Sequence, residues 1–191
     1  MKKGLLIIIS GPSGVGKGAI RQQIMKDGSV NLWFSVSMTT RSIRTGEKDG
    51  REYFFVSKEE FLKTLNNGGL LEYNKYVDNY YGTPKDKVEE MRNKGYNVLL
   101  EIDVNGAEKV MSVLGKENVL SFFILPPSLE ELEKRIRGRC TETDEVIAKR
   151  MAQARKEIEL KKDYRYVVVN DDLPRCANEI ISIIKKEYEV L

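Results

Sequence analysis

Apolar residues fall into two rhythms along this chain. Four segments are apolar at almost every position: Gly4-Leu-Leu-Ile-Ile-Ile-Ser10, Val98-Leu-Leu-Glu-Ile-Asp-Val104, Ser121-Phe-Phe-Ile-Leu125 and Tyr166-Val-Val-Val169. A strand without alternation must be covered on both faces, which is the condition of a parallel sheet. Each segment is followed by a polar or turn-forming stretch and then by helical periodicity, so the pattern predicts an α/β fold with a parallel central sheet flanked by helices. Two helix starts are marked by capping-box spacing, Ser57 with Glu60 and Ser128 with Glu131. A last helix is predicted from Leu173, with Ala177, Ile180, Ile181, Ile184 and Tyr188 on one face.

Between about Phe34 and Tyr81 the texture changes to short segments rich in Ser, Thr, Tyr and Phe, punctuated by Gly46, Gly50, Gly68 and Gly69. This predicts a small β-containing insertion. Neither an internal repeat nor a Pro-rich or Gly/Ser-rich linker divides the chain, so one domain with mobile lobes is expected.

Composition narrows the chemistry. The 191 residues are 41% hydrophobic and 32% charged, the balance of an ordinary globular protein. The net charge is only +3 because 29 acidic residues are interspersed with 32 basic ones, which argues against a nucleic-acid-binding stripe. The early apolar run, Leu5 to Ile9, is far too short for a membrane span and lacks a signal-peptide cleavage site, so a cytoplasmic protein without a membrane partner is expected. The absence of histidine excludes His-based acid–base chemistry, and with only Cys140 and Cys176 it excludes the usual zinc sites. Both cysteines are expected to be reduced and structural.

The sharpest motif is Gly11-Pro-Ser-Gly-Val-Gly-Lys17, lying between a predicted buried strand and a helix-compatible segment, Gly18 to Lys26. Glycines there let backbone N–H groups turn inward around phosphate oxygens, the helix N-terminus adds positive potential, and Lys17 neutralises β- and γ-phosphates. A nucleoside triphosphate is the implied ligand. The hydroxyl residue that usually follows the lysine and coordinates Mg²⁺ is missing, since Gly18 and Ala19 stand there. Magnesium is then expected to be held mainly by phosphate oxygens and waters.

Several ordered blocks extend this reading: Gly11 to Gly18, Ser35-Val-Ser-Met-Thr-Thr-Arg41, Arg44-Thr-Gly-Glu47, Gly50-Arg-Glu-Tyr53, Leu71-Glu-Tyr73, Asn79-Tyr-Tyr-Gly-Thr83, Glu101-Ile-Asp103, Arg135 to Glu142 and Val169-Asn-Asp-Asp172. Together they closely resemble the guanylate kinase family over nearly the whole chain. The resemblance implies a P-loop kinase fold with a core of residues 1–33, 82–126 and 160–191, a GMP-binding lobe at about 34–81 and a helical lid at about 127–159.

It further implies ATP contacts from Gly11, Pro12, Ser13, Gly14, Val15, Gly16, Lys17 and Gly18, with Asn170 and Asp171 at the edge of the adenine pocket. Arg41 and Arg44 offer guanidinium forks for the acceptor phosphate, with Tyr53 and Tyr81 as hydroxyl donors. Glu72 can accept from guanine N1 and N2 while Ser37 donates to O6, a pattern adenine cannot match. Thr83 lies near the base, and Gly82 would let the backbone approach it. Glu101, where the family often has Asp, is a further GMP-binding residue whose carboxylate reaches the base from one methylene further, and Asp103 would organise the waters of Mg²⁺. Arg135, Arg139 and Arg150 would close over the phosphates from the lid, forming with Lys17 and Arg41 the catalytic cations.

Phosphoryl transfer needs mainly positioning and charge dispersal, so the lack of histidine is no obstacle. The expected reaction is transfer of the γ-phosphoryl group of ATP to GMP, giving ADP and GDP. A kinase for adenylate or thymidylate would differ at the base-reading residues. A non-catalytic guanylate-kinase-like binding module would typically have a degraded phosphate loop, and a P-loop GTPase or DNA-associated ATPase would need motifs of its own. Monomer and homodimer are both left open.

Overall fold

The molecule is described by a computed structural model covering residues 2–76, 78–138 and 143–190. Strand β1 (Leu6–Ser10) is buried along its whole length because its two faces feed two cores. Ile7 and Ile9 pack with Ile20, Ile24, Phe122 and Ile180 on one side. Leu6 and Ile8 pack with Leu100, Val104, Val110 and Phe123 on the other. This two-sided burial explains the uninterrupted apolar run.

Strands β2 (Leu32–Phe34), β7 (Asn97–Glu101), β8 (Leu120–Leu125) and β9 (Tyr166–Val169) complete a five-stranded sheet in the order β2-β7-β1-β8-β9. Every pairing in it is parallel. Helices α1 (Lys17–Asp27) and α7 (Leu173–Val190) lie together on one face, their Ile20, Ile24, Ile180 and Ile184 in the first core. Helices α3 (Lys85–Asn93) and α4 (Val104–Leu114) bring Val88, Val104 and Val110 to the other face. Helices α5 (Leu129–Arg137) and α6 (Asp144–Glu159) pack on each other and send Leu132, Ile136, Ile147 and Met151 into the first core.

A second, four-stranded sheet runs β4-β3-β6-β5, formed by β3 (Met38–Thr39), β4 (Phe54–Phe55), β5 (Leu70–Tyr76) and β6 (Asn79–Pro84). Helix α2 (Lys58–Asn66) links its strands and buries Phe61. Because β6 ends at Pro84, the second sheet reaches beyond the 34–81 segment marked by texture. Helix α4 lies against β5 and joins the two sheets.

Both helix starts are capped where expected, with the Ser57 and Ser128 hydroxyls accepting from the Glu60 and Glu131 N–H groups at 3.1 Å. One expected strand is shorter than its apolar run. The segment from Val98 to Val104 leaves the sheet after Glu101, because Asp103 caps α4 with Oδ1 accepting from the Gly106 N–H at 2.7 Å. Cys176 is free and buried, and burial pushes its thiol up to about 11; Cys140 lies outside the described residues.

Since the strands are parallel, β1, β7, β8 and β9 all end at one edge. The chain moves from β1 towards β7 on one side and from β7 to β8 on the other, so a crevice opens beside the end of β1.

The start of β1 is tied down by Asn97, whose buried side chain accepts from the Leu5 N–H at 2.9 Å and donates to the Val30 carbonyl at 2.7 Å. Asn97→Ala leaves both backbone groups unpaired in the interior and is expected to cost about 2–4 kcal/mol. Urea unfolding checks this; a loss under about 0.5 kcal/mol would show that the two bonds are replaced by others.

Candidate active site

The chain leaves β1 through a turn that only glycine accommodates. Gly11 has φ +143°, and a Cβ there would stand 2.5 Å from the Ile124 carbonyl oxygen. Gly16 (φ +102°) leads into α1, and a Cβ on it would stand 2.5 Å from Asn170 Nδ2. Helix α1 begins without a side-chain cap and without an acidic residue in its first turn. Its first N–H groups are therefore available to an anion.

Lys17 folds back over the loop, with Nζ donating to the Gly11 and Pro12 carbonyls at 2.6 and 3.1 Å. Burial lowers its pKa, opposed by the negative charges of Glu101, Glu157 and Asp103, in that order. An incoming phosphate would replace the carbonyls as its partner and restore the charge balance.

Two further arginines reach the same loop from α5 and α6. Arg135 Nη1 donates to the Val15 carbonyl at 3.4 Å, while its Nε is paired with Glu131 one turn earlier. Arg150 Nη2 donates to the Ser13 hydroxyl at 2.8 Å. Arg139 lies outside the described residues. Asn170, at the end of β9, is buried and donates from Nδ2 to the Val15 carbonyl at 2.8 Å, so it braces the loop directly. Its neighbour Asp171 is exposed and takes the Arg175 guanidinium on Oδ1 at 2.6 and 2.8 Å.

Across the crevice a cavity of about 250 Å³ is lined by Ser37, Tyr53, Glu72, Asn74, Tyr81 and Asp103, among others. Glu72 is 9% exposed and Oε1 accepts from the Thr83 hydroxyl at 2.7 Å. Burial raises its pKa, the Thr83 bond opposing the shift. Gly82 is kept small by packing, for a Cβ there would meet Leu70, Phe61 and the Glu72 carbonyl at 2.9–3.0 Å.

At the mouth, Arg41 grips Glu47 with both Nη atoms at 3.0 and 2.8 Å and lies 5.5 Å from the ring centroids of Tyr53 and Phe55. Its remaining N–H groups are oriented by that pair. Arg44 is exposed, and its backbone N–H donates to the same Glu47 carboxylate at 2.8 Å. Tyr53 and Tyr81 stack edge to face with centroids 5.7 Å apart.

Glu101 and Asp103 close the space between loop and cavity. Glu101 Oε2 accepts from Arg21 Nε at 2.7 Å. Asp103 spends Oδ1 on the α4 cap and keeps Oδ2 within 3.4 Å of Asn74 Nδ2. Three contributors were missed in the sequence: Glu47, Arg21 and Glu157. Glu47 is visible in the block Arg44-Thr-Gly-Glu47 and Arg21 falls one helical turn after Lys17, but the approach of Glu157 from α6 has no local signal.

A family model described as guanylate kinase matches residues 3–187. The chain is 51% identical to a guanylate kinase of Mesoplasma florum, over 97% of this chain and 62% of that protein, so it spans less than two thirds of that relative. It is 48% identical to a guanylate kinase of Streptococcus thermophilus, over 98% of this chain and 88% of that one. The crystal structure of guanylate kinase from Anaplasma phagocytophilum superimposes with a TM-score of 0.76 at 36% identity, covering 97% of this chain and 87% of that chain.

The buried Glu72 has a consequence for stability. With its folded pKa raised, its contribution to stability is present below the ordinary carboxylate value of 4.5 and is lost as pH rises through the folded value. Glu72→Gln keeps an oxygen for Thr83 without the charge. Its thermal midpoint at pH 7 without ligands is expected to equal or exceed that of the parent, with the advantage vanishing below about pH 4.5. A clearly lower midpoint at pH 7 would show the carboxylate charge to be stabilising in place.

Proposed function

The chain belongs to the guanylate kinase family, and on that premise we infer that it transfers the γ-phosphoryl group of ATP to GMP, giving ADP and GDP. The observation that carries this is the placement of the glycine-built phosphate loop, with Lys17, one crevice away from a cavity whose buried acceptor is Glu72.

On the donor side the loop from Gly11 to Gly18 and the uncapped start of α1 hold the triphosphate, and Lys17 exchanges its carbonyl partners for phosphate oxygens. Arg135 on α5 and Arg150 on α6, together with Arg139, spread the charge that develops on the transferred group. The contacts of Arg135 and Arg150 with Val15 and Ser13 support this role for the lid. Asn170 serves ATP by fixing the Val15 carbonyl, and Asp171 borders the adenine pocket.

On the acceptor side the second sheet forms the GMP lobe. Arg41, Arg44, Tyr53 and Tyr81 hold the GMP phosphate, and Glu47 fixes the plane of Arg41. Glu72 accepts from guanine N1 and N2, Ser37 donates to O6, and Thr83 keeps Glu72 in place. Gly82 maintains the floor, and Glu101 forms the end of the cavity nearest the loop.

Among the described residues no group of three or more acidic, His or Cys side chains is placed to hold a metal by itself. The carboxylate oxygens of Asp103 and Glu101 are hard donors suited to Mg²⁺ carried by the triphosphate and held through water. When bound, Mg²⁺ neutralises charge on the β- and γ-phosphates. No helix among the described residues is long and apolar enough to cross a membrane, which fits a cytoplasmic setting for this reaction.

The reading is tested by acceptor choice. GMP is expected to exceed AMP and dTMP in kcat/KM by at least about 100-fold, because a site built to pair with guanine leaves Glu72 unpaired against the others. Glu72→Ala is expected to raise the KM for GMP at least roughly 10-fold and to erode that ratio. Equal turnover of AMP and GMP by the parent would overturn the assignment of the cavity. Lys17→Ala is expected to lose transfer with an unchanged melting curve; near-normal turnover would remove Lys17 from the mechanism.

A further inference from the structure

The phosphate loop lacks its usual metal-binding hydroxyl, since Gly18 and Ala19 follow Lys17. What stands nearest to that position is a carboxylate. A Cβ built on Gly18 would lie 3.6 Å from Glu101 Oε1, an ordinary contact distance. The sheet fixes this approach, because Glu101 is the last residue of β7 and pairs opposite Ile9, next to the point where the loop begins.

The side chain is also held in rotation. Glu101 Oε2 takes the Arg21 Nε–H at 2.7 Å, and the Arg21 guanidinium lies 4.3 Å from the Phe34 ring centroid. Both members are largely withdrawn from water, at 28% and 22% exposure, so the pair is more rigid than a surface ion pair. Arg21 follows Lys17 by one turn of α1, so the same helix carries the phosphate cation and the residue that aims the carboxylate. An aspartate would fall one carbon–carbon bond, about 1.5 Å, short of this contact.

We propose that Arg21 is a positioning residue that holds Glu101 with its second oxygen at the start of α1, where the carboxylate takes the part of the missing loop hydroxyl towards the divalent cation carried by the nucleotide. This rests on the ATP-dependent transfer inferred above. Glu101 then serves the donor from the loop end of the acceptor cavity, and its extra methylene relative to aspartate is what lets it reach both Arg21 and the loop.

The test titrates Mn²⁺ into the enzyme–ADP complex and reads free Mn²⁺ by electron paramagnetic resonance, with metal-free ADP binding measured by calorimetry. Glu101→Gln and Arg21→Leu are expected to weaken Mn²⁺ binding roughly 10-fold, and Arg21→Lys to retain most of it. Metal-free ADP should bind Glu101→Gln at least as tightly as the parent, because a negative charge facing the phosphates is gone; general damage to the site would weaken both. Gly18→Ser in the Glu101→Gln background is expected to recover Mn²⁺ affinity.

Unchanged Mn²⁺ affinity in Glu101→Gln, with ADP binding intact in the parent, overturns this proposal alone. An Arg21→Leu enzyme that changes only its KM for GMP also overturns it and assigns Arg21 to the acceptor. Failure of the parent to bind ADP at all overturns the kinase reading, and this inference with it.

Discussion

The way the chain leaves β1 constrains everything at the carboxyl edge of the sheet. Gly11 must turn with positive φ directly against the Ile124 carbonyl, and Gly16 must enter α1 against Asn170. These two approaches fix the loop against its neighbours and lead it into a helix start without a side-chain cap. A side chain at Gly11 would push the loop off β8, and one at Gly16 would displace the Asn170 amide that braces Val15. The parallel sheet then supplies the other parts at the same edge, Glu101 from β7 and Asn170 from β9, because parallel strands end together.

Each cation named at the site rests on partners within the protein. Lys17 rests on two carbonyls, Arg135 on a carbonyl and Glu131, Arg150 on a hydroxyl, and Arg41 on Glu47. The two carbonyls under Lys17 are neutral, so a phosphate group would outcompete them with its own charge. The carboxylate partners are different. Glu47 and Glu101 fix the orientation of a guanidinium beside the crevice and remain as counter-charges when the ligands arrive. On the proposed function, these two pairs orient their guanidinium groups before any nucleotide binds.

The parts of the fold legible in the sequence are those whose signal is local. The two-sided burial of β1 and β8 appears as unbroken apolar runs, the Ser57 and Ser128 caps as spaced Ser and Glu, and α7 as a helical stripe. Strands β3 and β4 have two residues each, too few to show a period, and only their Tyr- and Thr-rich surroundings betray them. The run from Val98 to Val104 misleads because a cap at Asp103 overrides apolar continuity. In the site, the phosphate loop is a contiguous motif, whereas the pairing of Arg21 with Glu101 spans 80 residues and depends on the order of strands in the sheet. The bracing of Val15 by Asn170 is equally non-local.

On the proposed function, donor loop and acceptor cavity work as one site, which shields the transferred phosphoryl group from water only when both nucleotides are held. The most direct measurement follows ADP release from ATP and Mg²⁺ with and without GMP. The account predicts rapid ADP formation that requires GMP and matches GDP formed one for one, with hydrolysis in its absence slower by at least about 1000-fold. ADP formation at the same rate without GMP would contradict it, because the crevice would then be passing phosphate to water rather than to a bound acceptor.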